Sequence, residues 1–254
     1  MLPSEFKRLQ KQKIEQRKIT PHKKISNTFI ENAISNANSN AIKITFYLAS
    51  VLEKKDIDFS QRLNTLELDT KDLLKYTEIT AHEVRRTLLQ MQKTSISFIN
   101  EELVEELHIN LLPSINFKWG KNKVEIDLYS KIAKLIVDVK KNYTFINTKI
   151  LMGLKNPHSI RLLPILNKIS NHSDNVAKRK HYELEDLNAI FGTNYKRLIE
   201  IERKILAPVK EELDLNSKLT FLYETQFDNL GKGRPKATRI TIDVVDNSGS
   251  LFSQ

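Results

Sequence analysis

The sequence of 254 residues contains no cysteine, which excludes disulfide bonds, thiolate zinc sites and cysteine nucleophiles. Glycine and proline are scarce, with 6 and 7 residues, so a glycine-rich loop architecture is not expected. The longest apolar stretch, near Phe46–Leu52, falls well short of the ~20 residues that span a bilayer. The N-terminus lacks the apolar core of a secretory signal. We therefore expect a folded cytoplasmic protein without a membrane partner.

Positive charge is in excess, because 41 lysine and arginine residues face 31 acidic residues, giving a net charge of +10 and a pI near 9.5. Such an excess attracts polyanions before any contact forms. Charge alone does not separate a nucleic-acid partner from an inert basic surface, so the positions of the basic residues decide. Residues 1–24 are read as a mobile basic arm.

A helix with two different faces is predicted in the first half. Thr80 and Glu83 have the capping-box spacing, in which the hydroxyl and the carboxylate satisfy amide donors at a helix start. A helix of about fourteen residues should begin there. Its apolar face is formed by Ala81, Val84, Leu88 and Met91. Its opposite, basic and hydrogen-bonding face is formed by His82, Arg86, Gln90 and Lys93.

The segments around that helix follow the winged-helix order of helix, helix and hairpin. Helices are predicted at residues 27–37 and 39–55 and from Thr70, and the strands and hairpin at 63–68, 96–99, 110–119 and 123–129. The polar stretch Asp138–Asn142 is the candidate domain boundary. The second half repeats the order, with helices at 157–170 (interrupted by Pro164), 185–191 and 195–206, the last one capped by Asn194, and with strands at 181–184, 219–225 and 238–244.

The helix predicted from Tyr195 carries the second candidate recognition face. Leu198, Ile205 and Val209 mark its buried stripe. The other side carries Lys196, Arg197, Glu200, Arg203 and Lys204. Arginine and lysine can donate to guanine, and glutamate can accept from cytosine N4. The alternative role of Glu200 is an ion pair with Lys196 or Lys204.

The tip of the last hairpin is rich in cations and glycine and has no acid. Its glycines permit close approach to a sugar-phosphate backbone, and its cations are candidates for contact with phosphate or the minor groove. The alternative is a plain exposed turn. The candidate residues are Lys232, Arg234, Lys236 and Arg239.

The two halves correspond at one constant offset, which indicates an internal duplication. Asp72-Leu73, Tyr76, Thr80 and Val84 match Asp186-Leu187, Ile190, Asn194 and Leu198. Identity between the halves is low, so the duplication depends on the order of the elements.

Enzymatic interpretations find little support. The segment 231–234 lacks the Ser or Thr and the spacing of a phosphate loop. His158 and Arg161 match the short His-x-x-Arg element of tyrosine recombinases, which would need Tyr182 or Tyr195 as nucleophile. The six histidines form no close pair with a third ligand, so no metal site is expected. Glutamate pairs such as those at 101–102, 105–106 and 211–212 are read as solvated helix or loop faces. No cofactor and no catalytic activity are predicted.

Four segments together resemble the iteron-binding plasmid initiator Rep protein family. They are residues 25–52, 73–98, 154–162 and 201–213, within a likeness that covers about residues 25–245. The most specific parts are the Arg-x-x-Leu-x-Pro helix from Arg203 with the Lys-Glu-Glu that follows it, and the Gly-Arg tip before the last strand. Leu163 stands where the family pattern leads us to expect tyrosine.

The resemblance implies an α+β protein with two tandem winged-helix domains, mainly helical, with small antiparallel β wings. Residues 25–140 would form an N-terminal domain for dimerisation and DNA contact, and residues 141–254 the main iteron-binding domain. It implies initiation as a monomer at direct repeats in double-stranded DNA, with opening of an AT-rich region and recruitment of the host initiator and replicative helicase. It also implies a self-associated dimer that represses its own gene. The rivals are a winged-helix transcriptional regulator and a nicking enzyme.

Overall fold

The computed structural model describes residues 22–27, 30, 38–54, 57–100, 105–137, 143–171, 178–228 and 236–247. Four features predicted above lie wholly or largely outside these residues. They are the basic arm up to residue 21, most of the helix predicted at 27–37, the boundary stretch 138–142 and the wing tip 229–235. The division into domains at residue 140 stays a prediction.

The first half is built around one helix that is buried on all sides. Helix α1 (Ser39–Leu52) is capped by Asn38, whose Oδ1 accepts a hydrogen bond of 2.7 Å from the amide of Ala41. Every residue from 41 to 50 is buried, so this helix forms the centre of the core rather than an amphipathic surface element. The strand β2 (Leu63–Asp69) follows, and then come the helices α2 (Thr70–Thr77) and α3 (Ala81–Lys93).

Two antiparallel hairpins follow α3. The first consists of β3 (Ser95–Asn100) and β4 (Glu105–Asn110), and the second of β5 (Ser114–Lys118) and β6 (Lys123–Tyr129). Strand β6 also pairs with β2, so the three-stranded sheet has the order β2-β6-β5. The prediction of a helix or loop at residues 105–106 was wrong, because both residues lie in β4 and pair with β3.

The chain then crosses to the second half through a small sheet and three helices. Strand β7 (Tyr143–Asn147) pairs with β1 (His22–Ser26), which includes the last residues assigned to the arm. Helix α4 (Ser130–Val137) precedes β7, and α5 (Thr148–Gly153) and α6 (Pro157–Ser170) follow it. Pro164 does not interrupt α6, which continues through it. None of the helices described is long and apolar enough to cross a membrane.

A buried lysine joins α1 to the turn between α5 and α6. The ammonium of Lys43 donates hydrogen bonds of 2.6 Å to the carbonyl of Met152 and 3.1 Å to that of Leu154. Burial lowers its pKa, and the two carbonyls supply the partners that a buried cation needs. Glu212 holds the same turn from the other side by accepting a 2.7 Å hydrogen bond from the amide of Lys155.

The second half repeats the arrangement of the first. Strand β8 (Arg179–Tyr182) and helix α7 (Leu184–Phe191) lead into a helix that starts at α8 (Leu198–Ile201), passes through a π-helical turn (Glu202–Leu206) and ends with α9 (Ala207–Asn216). The hairpin β9 (Leu219–Asp228) and β10 (Lys236–Asp246) follows. The sheet order β8-β10-β9 matches β2-β6-β5, because in both the strand before the two helices pairs with the second hairpin strand.

Packing supports the duplication at the matched positions. Leu73 and Leu187 are both fully buried, and Val84 and Leu198 are each 3% exposed. The predicted offset therefore pairs residues with the same structural role. Both halves have the α+β arrangement of helices with a small antiparallel sheet.

Candidate nucleic-acid interface

Helix α3 starts with the predicted capping box. The amide of Glu83 donates to Thr80 Oγ1 at 3.3 Å, and the Thr80 amide donates to Glu83 Oε2 at 3.2 Å. The Thr80 hydroxyl also donates to Glu83 Oε2 at 2.7 Å, and this bond, followed by the one from the Thr80 amide, favours the charged carboxylate and holds the pKa of Glu83 below its ordinary value. Val84, Leu88 and Met91 are buried as predicted, whereas Ala81 is exposed, so the apolar stripe begins one turn later.

The outer face of α3 forms a shallow groove. The predicted residues His82, Arg86, Gln90 and Lys93 are all exposed and line it, together with Arg85 and Leu89, which the helical pattern did not single out. The guanidinium carbon of Arg85 lies 5.9 Å from the ring centre of Phe117 on β5. This contact links the helix face to the hairpin beside it. The sequence signal for this contact is Phe117, an aromatic residue in a predicted strand, because an arginine side chain is attracted to an aromatic ring.

Gln90 already has a protein partner. Its Oε1 accepts a 2.8 Å hydrogen bond from Nδ2 of Asn38, the residue that caps α1. The bidentate recognition of adenine by glutamine needs both the amide oxygen and the amide nitrogen. Gln90 would have to release Asn38 before it could read a base in this way.

The second candidate helix starts later than predicted, at Leu198 rather than Tyr195. The prediction that Asn194 caps it was wrong, because the cap residue is Arg197 and no side chain caps the helix. The turn is fixed instead by Asn188 on α7. Its Oδ1 accepts from the Tyr195 amide at 2.9 Å and from Thr193 Oγ1 at 2.8 Å, and its Nδ2 donates to the Tyr195 carbonyl at 2.9 Å.

Gly192 gives this turn its direction. Its φ of +64° is in the left-handed region, which glycine adopts without a steric penalty. A Cβ at this position would lie 3.0 Å from Nη1 of Arg161. The same guanidinium nitrogen donates a 3.1 Å hydrogen bond to the carbonyl of Ile190. Arg161 therefore braces the end of α7.

Ion pairs occupy part of the second face. Glu200 lies 3.3 Å from Lys204 Nζ and 3.6 Å from Arg197 Nε, and these cations lower its pKa, Lys204 most. The predicted alternative of an ion pair with Lys204 is present, whereas the partner on the other side is Arg197 rather than Lys196. Arg203 and Lys196 are exposed and make no ion pair within the residues described. Leu198, Ile205 and Val209 are buried as predicted.

A π-helical turn lies in the middle of this helix. The Ala207 amide donates to the carbonyl of Glu202, five residues back. Pro208 explains the wider turn, because its ring would clash with the carbonyl four residues earlier in a regular α-helix. The helix thus continues to Asn216 instead of ending near Leu206. Glu202 also accepts a 2.8 Å hydrogen bond from Thr225 Oγ1 on β9, which ties the helix to its hairpin.

The described base of the second wing carries two of the four predicted cations. Lys236 and Arg239 on β10 are exposed, and Arg239 donates to Oε1 of Gln226 across the hairpin. The strand pairing shifts between Ala237 and Arg239. Lys232 and Arg234 lie outside the described residues.

The residues of the recombinase-like element are structural parts of the second half. The His158 ring packs edge-on against Phe191 at 5.4 Å, and burial lowers its pKa. Tyr182 is 3% exposed, and burial raises its pKa. A buried, neutral phenol is unsuited to attack a DNA phosphate. Within the described residues, no three histidine, aspartate or glutamate side chains are placed to hold a metal ion.

Two of three comparisons relate the chain to known proteins. The family model described as Initiator Replication protein, WH1, matches residues 23–167, and that described as Initiator Rep protein, WH2, matches residues 183–244. The Pi initiator protein, solved in complex with iteron DNA, has a similar fold with a TM-score of 0.65 at 14% identity. That match covers 89% of this chain and 97% of the other. A search of curated protein sequences finds no match.

These matches confirm the predicted pair of winged-helix domains. The two family models together cover most of the chain. The protein belongs to the initiator Rep protein family.

Proposed function

We propose that the protein initiates plasmid replication by binding direct repeats, or iterons, in double-stranded origin DNA. One observation supports this most directly: each half presents an exposed helix face with cations beside an antiparallel hairpin. A helix of this kind fits the major groove while the hairpin contacts the backbone. The similar Pi initiator protein was solved on iteron DNA.

In this proposal, contacts to phosphate position the protein and contacts to base edges give specificity. The arm and the wings, with Lys232, Arg234, Lys236 and Arg239, supply the phosphate contacts. The second helix is the main reader through Lys196, Arg197, Glu200 and Arg203, with Lys204 as a further DNA contact. The first helix reads more weakly through Arg86, Gln90 and Lys93, with His82 as a further DNA contact.

The proposal extends to the later steps that the family resemblance implies. The protein opens an adjacent AT-rich region and recruits the host initiator and the replicative helicase. As a dimer joined through the first domain, it represses its own gene. Loss of plasmid copying on deletion of the gene would separate this role from that of a transcriptional regulator with the same DNA-binding faces.

The nicking enzyme is the weaker rival. Initiator Rep proteins are DNA-binding initiators rather than a known class of enzymes. The burial of Tyr182 also argues against its use as a nucleophile. Cleavage of supercoiled DNA with magnesium, lost in Tyr182→Phe or Tyr195→Phe, is the result that would revive this alternative.

Fluorescence anisotropy tests the proposed function. The full chain is titrated onto a duplex of direct repeats from beside its own gene and onto a shuffled duplex, at one fixed salt concentration. We expect a preference for the repeats of ~10³-fold or more. Equal and salt-sensitive binding to both duplexes would mean that the basic faces act only electrostatically.

A further inference from the structure

An exposed isoleucine stands in the chain between polar residues of the second recognition face. Ile199 is 49% exposed and is the second residue of α8. Helical spacing places Arg203, one turn later, on the same side of the helix, whereas Lys196 precedes the first helical residue. Glu200 is its immediate neighbour. The sequence pattern assigns the polar residues of this face to DNA and leaves its apolar member without a role.

The charged side chains near Ile199 form ion pairs that leave Ile199 itself exposed. Glu200 engages Arg197 and Lys204, and Lys204 Nζ also lies 4.8 Å from the ring centre of Tyr195. Within the described residues, Arg203 takes part in none of these contacts. Lys196 takes part in none of them either, so an exposed Ile199 and two cations without an ion pair remain on the described part of this face.

The first half differs at the equivalent position. The offset that pairs Leu73 with Leu187 pairs Ile199 with Arg85. Arg85 is a cation that leans on Phe117 of its wing strand. The second half has a rigid apolar group in its place, since a β-branched isoleucine in a helix has one strongly preferred χ1 rotamer. A side chain held in this way suits the recognition of shape.

The apolar group that a base pair presents in the major groove is the C5 methyl of thymine. We propose that Ile199 determines specificity at one position of the bound site by packing its side chain against a thymine methyl. This inference rests on the proposed function, because it requires the second helix to enter the major groove.

Deoxyuridine scanning tests the contact. Replacing one thymine by deoxyuridine removes only the methyl and leaves every hydrogen-bonding group in place. Each thymine of one direct repeat is replaced in turn, and anisotropy is measured for the wild-type chain, Ile199→Ala, Ile199→Val and Leu215→Ala. Leu215 is the matched control, because it is an apolar residue of the same helix, in α9, and is 66% exposed.

We expect one thymine at which deoxyuridine weakens wild-type binding about fourfold, the value of one buried methyl-sized group. Ile199→Ala should bind the two duplexes equally at that position and keep the wild-type response elsewhere. Ile199→Val should show a reduced difference, and Leu215→Ala the full wild-type profile. Coincident circular-dichroism melts would show that the variants are folded.

Two results would overturn the inference, and they are distinguishable. If the wild-type chain prefers the repeats but Ile199→Ala keeps its complete deoxyuridine profile, Ile199 reads no thymine and the proposed function stands. If the wild-type chain does not distinguish the repeats from the shuffled duplex, the proposed function fails and the inference fails with it.

Discussion

The candidate recognition helix of the first half begins with a side-chain cap, whereas that of the second half begins without one. In α3 the cap is local, because Thr80 and Glu83 satisfy each other's amides within four residues. In the second half, Asn188 of the preceding helix fixes the turn, and Arg161 braces the end of that helix. The same sheet order surrounds both helices.

This difference shows that a duplicated fold can keep its core while its recognition helix is held by other means. The local cap requires only neighbours in sequence. The second helix requires contacts from α6 and α7, and its π-helical turn carries it to Asn216. Changes at the start of the second helix should therefore spread further into its domain than changes at the start of the first.

The largest expected effect tests whether the halves share a core. Leu73→Ala and Leu187→Ala each remove a fully buried side chain at matched positions, so each should lower the free energy of unfolding by about 2–5 kcal/mol. Urea denaturation measures this, with the exposed Leu215→Ala as control, for which a change within about 0.5 kcal/mol is expected. A decrease in the free energy of unfolding below about 1 kcal/mol at either leucine would contradict the structural correspondence between the two positions.

The next effect concerns the turn before the second helix. Gly192→Ala puts a side chain at a positive φ and against Arg161, and should lower the free energy of unfolding by about 2 kcal/mol. Gly153→Ala is the matched control, because Gly153 ends a helix and a methyl group added there would meet no atom within 4 Å. Equal stability of the two variants in urea would contradict the role given to Gly192.

A smaller effect separates the two helix starts. Thr80→Ala removes a hydroxyl that caps α3 and should cost about 1 kcal/mol in urea denaturation. Asn194→Ala, at the equivalent position, should cost much less, because no side chain caps the second helix. The comparison fails if Asn194→Ala proves as destabilising as Thr80→Ala.

The smallest effect is a pH dependence of the first cap. The pKa of Glu83 is below its ordinary 4.5 in the folded protein, chiefly because Thr80 donates to it. Its contribution to stability is therefore present above pH 4.5 and is lost as the pH falls through the folded pKa. Glu83→Gln can still accept from Thr80 but does not titrate. The stability of the wild type relative to this variant should fall between pH 7 and pH 3, and a constant difference would exclude the linkage.

Local patterns predicted the parts of this structure that neighbours in sequence determine. The capping box at Thr80 and the buried positions of Leu88 and Leu198 follow from helical spacing, and the structure has both. The exposure of the polar face of α3 follows from the same spacing. The constant offset between the halves predicted the matched core at Leu73 and Leu187.

Contacts between distant residues explain the errors. Asn194 is a residue type that commonly caps helices, but the side-chain amide of Asn188 fixes that turn, and the helix starts only at Leu198. The second helix is predicted to end near Leu206, yet a π-helical turn accommodates Pro208 and the helix continues to Asn216. The glutamates at the start of β4 do not have the alternating apolar pattern that predicts a strand, and the register of this strand depends on pairing with β3. Ile199 was not singled out from the sequence, because an apolar residue on a basic face matches neither the pattern of a buried stripe nor that of a polar recognition face.

The central claim is that the second helix reads bases while its wing contacts phosphate. The most direct test compares Arg203→Ala with Lys236→Ala on the direct-repeat and shuffled duplexes at one salt concentration. Arg203→Ala should lose ~1–3 kcal/mol on the repeats only, whereas Lys236→Ala should weaken both duplexes alike. If Arg203→Ala weakened the repeat and shuffled duplexes equally, the assignment of base reading to this helix face would be contradicted.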